Sequence, residues 1–292
     1  MALLSNSLSN KKVGLALSSG AARGLAHIGV LGVLEREGIP VNMIAGTSMG
    51  AIVGAMYAQG KNAGEIKEAA LDLGWVEMAK MLAFSTPKTG FLSGQKIRAR
   101  LKRIIGEVDF TELKIPFACV ATDILTGEEV VIQQGPVLEA VIASMSIPII
   151  FKAARLNGRY LVDGGSVNPV PVSVLNNMGA DFIIASNVVV EPVDRSRNAK
   201  AGTEVLKDTG KSKEPNIFNI MIQFVNITSY QSVKYGLSGA DVVIQPDVAD
   251  IGFTEFRNAR ECIIRGGSAA QASMPEIKRL LADFSLQQIP GV

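Results

Sequence analysis

Residues 13–50 read VGLALSSGAARGLAHIGVLGVLEREGIPVNMIAGTSMG, and this stretch decides the predicted fold. It begins with a short apolar run at 13–17, and the small residues that follow are typical of a strand entering a turn. Residues 23–38 then carry apolar side chains at near-helical spacing and end at Gly38. A second apolar strand is predicted at 41–45. Two strand–loop–helix units in so short a stretch are typical of right-handed βαβ connections, so the sequence predicts an α/β fold with a parallel sheet.

The rest of the chain continues this alternation of strands and helices. Further strands are predicted at 117–122, 129–133, 160–162, 182–186 and 242–245. Further helices are predicted at 51–59, 63–73, 94–104, 137–145, 172–178 and 259–272. We predict a single domain over 13–282, with tails at 1–12 and 283–292 and a mobile polar insertion at 193–215.

The composition limits the classes of protein to which the chain can belong. Of its 292 residues, 48% are hydrophobic and 19% are charged, a balance that excludes disordered, collagen-like and coiled-coil chains. The formal net charge of +2 is too small for a dedicated nucleic-acid binder, so no nucleic-acid partner is predicted. One histidine, His27, and two distant cysteines make a zinc site improbable, and no metal is expected.

The apolar runs of the chain are short. The apolar run near the first residue is too short for a secretory signal, and no run reaches the about 18–20 residues of a spanning helix. The protein is therefore predicted to be cytoplasmic, with peripheral contact to a membrane left open. Apolar residues between Ile217 and Thr228 follow the spacing of an amphipathic helix. Such a helix either docks on the core or faces a membrane or a substrate.

The segment Gly46-Thr47-Ser48-Met49-Gly50 matches the G-x-S-x-G pattern where a strand is expected to become a helix. In that position the serine hydroxyl projects from the sheet, and the flanking glycines leave room for a strained turn. The helix that follows directs its positive end toward the hydroxyl. Ser48 is therefore a candidate nucleophile, and the alternative is a packing turn with a capping serine.

The loop from Ser18 to Gly24 forms the other turn between a strand and a helix. Its small residues let backbone N–H groups approach a ligand closely, as in an oxyanion hole or a dinucleotide phosphate loop. The second use requires an acidic residue near the end of the next strand. That strand instead ends at Ala45 and runs into Gly46, so a dinucleotide loop is disfavoured.

The candidate nucleophile needs a base. The α/β-hydrolase order places a histidine after the serine, but the only histidine, His27, precedes Ser48 and lies within a predicted helix. A carboxylate remains as an alternative. Asp163 follows the predicted strand 160–162, and two glycines after it permit a sharp turn that could orient its carboxylate. Asp-Gly-Gly alone is usually only a turn.

Together, these motifs resemble those of the patatin-like phospholipases of the compact bacterial type. The resemblance rests on four segments in matching order: LALSSGAARGLAHIGVL, GTSMG, ASMSIPIIF at 143–151, and VDGG with the nearby Asn168-Pro169. It implies a three-layer α/β/α fold and a lipid acyl hydrolase that acts through a serine–aspartate dyad and an acyl-serine intermediate. A lipid or another acyl ester would be the substrate, and no cofactor is implied.

The resemblance also assigns roles to individual residues. Ser48 would be the nucleophile and Asp163 the base. The oxyanion hole would be formed by Gly20, Ala21, Ala22, Arg23 and Gly24. The nucleophile turn would comprise Gly46, Thr47, Met49 and Gly50, and the base turn Gly164 and Gly165.

The loop departs from the family pattern in one respect. The family usually has a run of glycines where Ser18, Ser19 and Ala21 stand here, which reduces the freedom to take positive φ. A regulatory or lipid-binding protein with a weak or vestigial site is therefore one alternative. An acyltransferase or thioesterase that uses the same two residues is another. The sequence gives no indication of the oligomeric state.

Overall fold

The computed structural model describes residues 11–72, 90–148, 151–192 and 217–286. Within them, eight strands form one sheet: β1 (Val13–Leu17), β2 (Met43–Thr47), β3 (Phe117–Asp123), β4 (Glu129–Ile132), β5 (Ala154–Leu156), β6 (Arg159–Asp163), β7 (Phe182–Ser186) and β8 (Val242–Ile244). The strand order is β5-β6-β3-β2-β1-β7-β8, with β4 also paired to β3. Strands β3, β2, β1, β7 and β8 run parallel, whereas β4, β5 and β6 add antiparallel pairings at one side.

Helices cover both faces of this sheet. They are α1 (Ala26–Arg36), α2 (Met49–Ala58), α3 (Ala63–Leu71), α4 (Gly90–Ile105), α5 (Val137–Ser144), α6 (Val172–Met178), α7 (Ile217–Gly236) and α8 (Ala259–Leu286). Short 3-10 turns occupy Ala21–Leu25, Phe110–Glu112, Gly164–Ser166 and Phe256–Asn258. The two faces are distinct, because alternate residues of a strand point to opposite sides of the sheet.

Strand β3 shows how the two faces differ. Its residues Phe117 and Cys119 enter the larger core with α1, α2, α5 and α8, whereas Ala118 and Val120 enter a smaller core with α6. Every residue of β1, β2, β3 and β7 is buried, as expected for a parallel sheet that is covered on both sides. The predicted three-layer α/β/α class is confirmed.

The register along β3 brings two strand ends together. Strand β2 pairs with the first part of β3 and ends with Thr47 opposite Val120. Strand β6 pairs with the second part of β3, in the opposite direction, and ends with Asp163 opposite Ala121. The carboxyl ends of β2 and β6 therefore meet at neighbouring positions of a third strand.

Several boundaries differ from the sequence predictions for local reasons. Residues 21–25 form a 3-10 turn, so α1 begins only at Ala26. The sequence pattern predicts an end of helix α8 at residue 272, but the helix continues past Pro275 to Leu286, because Ile277 and Leu281 are buried and keep it on the core. Strand β5 was not predicted.

The insertion predicted at 193–215 lies outside the described residues. Most of the N-terminal tail at 1–12 and the last part of the C-terminal tail also lie outside them. In the described part of the chain, no helix combines the length and the apolar character that a membrane-spanning segment requires.

Candidate active site

Ser48 occupies the sharp turn between β2 and α2. Its φ of 57° and ψ of −115° place a non-glycine residue in a strained conformation. Ser48 is the N-cap residue of α2, yet its side chain makes no capping hydrogen bond. The capping role that the alternative prediction gives to the Ser48 side chain is therefore wrong.

The glycines on either side of Ser48 are required by packing. A Cβ atom on Gly50 would lie 2.2 Å from the carbonyl oxygen of Leu17 in β1. A Cβ atom on Gly46 would lie 2.5 Å from the carbonyl oxygen of Gly50. Thr47 stabilises the turn from the other face, because its Oγ1 donates to the carbonyl oxygen of Asn168 at 2.9 Å.

The Ser48 hydroxyl is directed at Asp163. Its Oγ donates to Oδ2 of Asp163 at 2.6 Å, and both side chains are buried. The other carboxylate oxygen, Oδ1, accepts from the backbone N–H of Gly165 at 2.8 Å. Gly164 passes close over β3, where a Cβ atom would lie 2.3 Å from the carbonyl oxygen of Val120. The two glycines of the base turn thus fix the orientation of the carboxylate.

Burial raises the pKa of Asp163 to about 6. Loss of hydration disfavours the charged carboxylate, and the hydrogen bonds from Ser48 and Gly165 offset only part of that effect. A carboxylate with a raised pKa is a better proton acceptor than an exposed aspartate. The pair can therefore transfer a proton from Ser48 Oγ to Asp163 near neutral pH.

Ser144 supports the nucleophile turn, a role that the sequence reasoning missed. Its Oγ accepts from the backbone N–H of Ser48 at 3.0 Å and donates to the carbonyl oxygen of Val120 at 2.7 Å. Ser144 thus links the turn to β3 at the point where β2 and β6 meet. Its only sequence signal is its place in the ASMSIPIIF segment.

The loop after β1 presents two backbone amides beside Ser48. Gly20 has a φ of 152°, and a Cβ atom there would lie 2.6 Å from Cγ2 of Val188. Ala21 takes a positive φ of 46° although it is not glycine. Among the described residues, neither of these two N–H groups has a hydrogen-bond acceptor. They are therefore the candidate donors to a developing oxyanion in the described part of the loop.

The other predicted oxyanion residues serve the structure of the loop. The N–H of Ala22 donates to the carbonyl oxygen of Phe253 at 3.1 Å, and that of Arg23 donates to Gly20 at 3.1 Å. The Arg23 side chain donates from Nε to the carbonyl oxygen of Ile251 at 2.8 Å. Gly24 makes room for Met49, whose Cγ would lie 2.5 Å from a Cβ atom at position 24.

His27 is fully buried beneath this loop and does not contact Ser48. Its Nε2 lies 2.9 Å from the carbonyl oxygen of Ser18, and its Nδ1 lies 2.8 Å from Oγ of Ser186. The carbonyl oxygen of Ser18 can only accept, so Nε2 carries the proton. Nδ1 therefore accepts a hydrogen bond from the Ser186 hydroxyl. Burial lowers the pKa of His27 to about 4, which keeps the ring neutral. Its contacts support the loop.

Two cavities meet at Ser48. One, which is narrow and partly open to solvent, is lined by Ser19, Gly20, Arg23, Ser48, Asp163, Val189, Val225, Asn226, Ser229 and Phe253. The other, also small, is lined by Ala21, Ser48, Met49, Ile52, Met145, Ile147, Phe151, Phe253, Thr254 and Phe256. The first cavity has hydroxyl, amide and charged groups beside the apolar side chains of Val189, Val225 and Phe253, whereas the second is lined almost wholly by apolar side chains. Ser48 lies between the two, which we call the polar and the apolar cavity.

The fold and site define a three-layer α/β/α protein with a buried serine–aspartate pair where a parallel and an antiparallel strand end. The family profile described as patatin-like phospholipase matches residues 15–176, which is more than half of the chain and includes both Ser48 and Asp163. The chain belongs to the patatin-like phospholipase family, as the resemblance predicted.

Similar proteins extend this finding. An uncharacterized NTE family protein of Mycobacterium tuberculosis is 38% identical over 192 residues, which cover 66% of this chain and 53% of that protein. Lysophospholipase NTE1 of the yeast Debaryomyces hansenii is 29% identical over 269 residues, covering 87% of this chain and 17% of that protein. This chain thus spans about half of the mycobacterial relative and a much smaller part of the yeast one.

A solved structure has the same fold. The crystal structure of VipD from Legionella pneumophila matches with a TM-score of 0.53 and 15% sequence identity, over 91% of this chain and 67% of that one. At this identity the likeness concerns the fold alone.

Proposed function

We propose that the protein hydrolyses fatty-acyl esters through an acyl-serine intermediate on Ser48, with Asp163 as the base. The observation that carries the proposal is the 2.6 Å hydrogen bond from Ser48 Oγ to the buried Asp163 carboxylate, whose pKa is raised to about 6. This arrangement provides a nucleophile together with a base, which covalent catalysis requires. It also favours an enzyme over the alternative of a vestigial site.

The first half of the reaction forms the acyl-enzyme. Ser48 Oγ attacks the ester carbonyl while Asp163 takes its proton, and the N–H groups of Gly20 and Ala21 receive the oxyanion. The positive end of α2 adds to that stabilisation. The alcohol then leaves with the proton that Asp163 holds. In the second half, water repeats these steps and releases the fatty acid.

The two cavities support a lipid substrate with an apolar acyl group and a polar alcohol. The apolar cavity, with Ile52, Met145 and Phe256 among its walls, offers apolar surface to the part of an acyl chain next to the ester. The polar cavity suits the alcohol part, because Asn226 and Ser229 supply hydrogen-bonding groups. The name of the yeast relative, a lysophospholipase, agrees with such an ester.

The proposal is tested by combining a lipid panel with a serine-directed probe. We expect the folded protein to release fatty acid from at least one class among phospholipids, lysophospholipids and simple acyl esters. We also expect a fluorophosphonate to form one covalent adduct, located by mass spectrometry on the peptide that contains Ser48. Folded protein that is neither labelled nor active on any of these esters would contradict the proposal.

We propose further that the outer face of α7 contacts a lipid surface. The buried face of this helix carries Val225 and Ser229, both of which line the polar cavity. Its outer face exposes Ile220 (47%), Phe224 (56%) and Ile227 (42%), which lie on one side at helical spacing. A membrane on that face would lie beside the cavity that we assign to the polar end of the substrate.

The cytoplasmic location of the protein stays a prediction.

Sedimentation with vesicles of phosphatidylcholine and phosphatidylglycerol tests this contact. Replacing Phe224 with serine is expected to lower vesicle binding about tenfold, because a buried aromatic side chain contributes roughly 1.5–3 kcal/mol. Leu125→Ser removes an apolar side chain that is 77% exposed in the turn between β3 and β4, and serves as the matched control. Equal binding by the wild type and Phe224→Ser would argue against contact through α7.

A further inference from the structure

The hydroxyl of Ser19 has no hydrogen-bond partner among the described residues, although its side chain is buried and only 5% of the residue is exposed. Its neighbour Ser18 differs, because Ser18 Oγ accepts from the N–H of Val188 at 2.9 Å and donates to the carbonyl oxygen of Ser19 at 2.9 Å. The backbone of Ser19 is held by its N–H, which donates to Pro169 at 2.8 Å. A buried hydroxyl without a hydrogen-bond partner lowers the stability of the fold, and its presence indicates that it binds a water molecule or a ligand.

The Ser19 hydroxyl lies at the polar cavity, near the carboxylate of Asp163. A Cβ atom on Gly165 would lie 3.2 Å from Oγ of Ser19, 3.0 Å from Oγ of Ser229 and 3.0 Å from Oδ1 of Asp163. The hydroxyl oxygens of Ser19 and Ser229 and the Oδ1 of Asp163 therefore lie close to one another beside Gly165. All three residues also line the cavity beside Ser48.

We propose that Ser19 and Ser229 position the water that attacks the acyl-enzyme and thereby favour water over alcohols as the acyl acceptor. This inference rests on the proposed function of Ser48 and Asp163. The departing alcohol and the incoming water use the same place beside the base, because the second half of the reaction reverses the chemistry of the first. The polar cavity is that place, since the proposed function puts the acyl chain on the side of the apolar cavity.

The chemistry distinguishes water from an alcohol. One hydrogen of water passes to the Asp163 carboxylate as the water oxygen bonds to the acyl carbon. The bond from that carbon to Ser48 Oγ then breaks, and Ser48 recovers the proton from Asp163. The second hydrogen of water donates to the hydroxyl oxygen of Ser19 or Ser229. Methanol carries a methyl group instead of that hydrogen, so it cannot make the same hydrogen bond.

The experiment measures how the acyl-enzyme partitions between two acceptors. The enzyme is given an aryl ester in buffer that contains methanol, and the ratio of methyl ester to free acid is determined. We expect Ser19→Ala to raise this ratio about fivefold, since one lost hydrogen bond of about 1 kcal/mol changes a rate by roughly that factor. Ser229→Ala is expected to shift the ratio in the same direction. The ratio depends only on steps after acylation, so a general loss of activity does not change it.

Ser232→Ala is the matched control, because Ser232 lies on the same helix as Ser229 but donates to the backbone of Ser166 at 3.2 Å. It is expected to keep the wild-type ratio. Unchanged ratios in both Ser19→Ala and Ser229→Ala would overturn the inference while leaving the proposed function intact. If the wild type forms neither product and no fluorophosphonate adduct, the proposed function itself fails. Should Ser19→Ala not fold, Ser229→Ala alone decides the inference.

Discussion

Replacing Ser48 with alanine is expected to lower kcat/KM for an aryl ester by about 10⁴-fold or more and to abolish fluorophosphonate labelling. The expected decrease in kcat/KM is large because the covalent route is lost. Removal of the nucleophile in serine hydrolases typically leaves only the rate enhancement that substrate binding and the oxyanion hole provide. The variant retains the oxyanion amides at Gly20 and Ala21, so a small residual rate is compatible with the mechanism.

The fold is expected to survive this change. The substitution Ser48→Ala introduces no clash, because it removes only an oxygen and its hydrogen bond to Asp163. The control is Ser268→Ala, an exposed serine of α8 whose Oγ donates to the carbonyl oxygen of Ile264 at 3.1 Å. Far-ultraviolet circular dichroism checks both variants. Hydrolysis by purified, folded Ser48→Ala at more than a few per cent of the wild-type rate would rule out Ser48 as the nucleophile.

Local features of the site could be predicted from the sequence because they depend on neighbouring residues. The turn around Ser48 needs a strand before it, a helix after it and glycine at positions 46 and 50, and all of these are contiguous in the chain. The loop at Gly20 is similar. Strand β5 also had a local signal that the prediction overlooked. Asn157 and Gly158 both take positive φ in the tight turn between β5 and β6, as Asn-Gly pairs commonly do.

Contacts between distant segments could not be derived in this way. Asp163 reaches Ser48 because β2 and β6 end at adjacent positions of β3, and that register is a property of the assembled sheet. Only the family resemblance indicated the pairing beforehand. Ser144 is likewise 96 residues from Ser48, and the polar contact is to a backbone amide that leaves no pattern in the sequence.

The predicted oxyanion segment illustrates the same limit. Five residues from Gly20 to Gly24 were assigned to it together, because a sequence motif does not show where each N–H points. In the structure, the amides of Ala22 and Arg23 are already used, by Phe253 and Gly20. Phe253 comes from a remote part of the chain, so its effect on the loop could not be anticipated.

The activity is expected to depend on pH through Asp163. The pKa of this carboxyl is raised to about 6, chiefly by burial, and only its charged form can accept the proton of Ser48. kcat/KM is therefore expected to fall about tenfold per pH unit below pH 6 and to level off above it. Asp163→Asn removes the base, and we expect it to lose at least about 10³-fold in activity at pH 8.

The same raised pKa means that the charged form of Asp163 lowers the free energy of unfolding. A group with a higher pKa in the folded state binds more protons there than in the unfolded chain, so stability decreases as pH rises from about 4 to about 6. Above that window the charged carboxylate costs on the order of 2–3 kcal/mol, and asparagine avoids this cost because it does not ionise. Asp163→Asn is therefore expected to have a higher Tm than the wild type at pH 8, with a difference that shrinks as the pH is lowered from about 6 to about 4.

Thermal unfolding across this pH range, measured together with hydrolysis, separates the two consequences. Asp283→Asn serves as the control, because Asp283 is an exposed residue of α8 that pairs with Arg279 at 3.2 Å. It is expected to keep the wild-type activity and nearly the wild-type Tm. A variant Asp163→Asn that is both inactive and less stable at pH 8 would mean that the carboxylate is needed for the fold. An inactive but more stable variant is the result expected of a charge that is buried for catalysis.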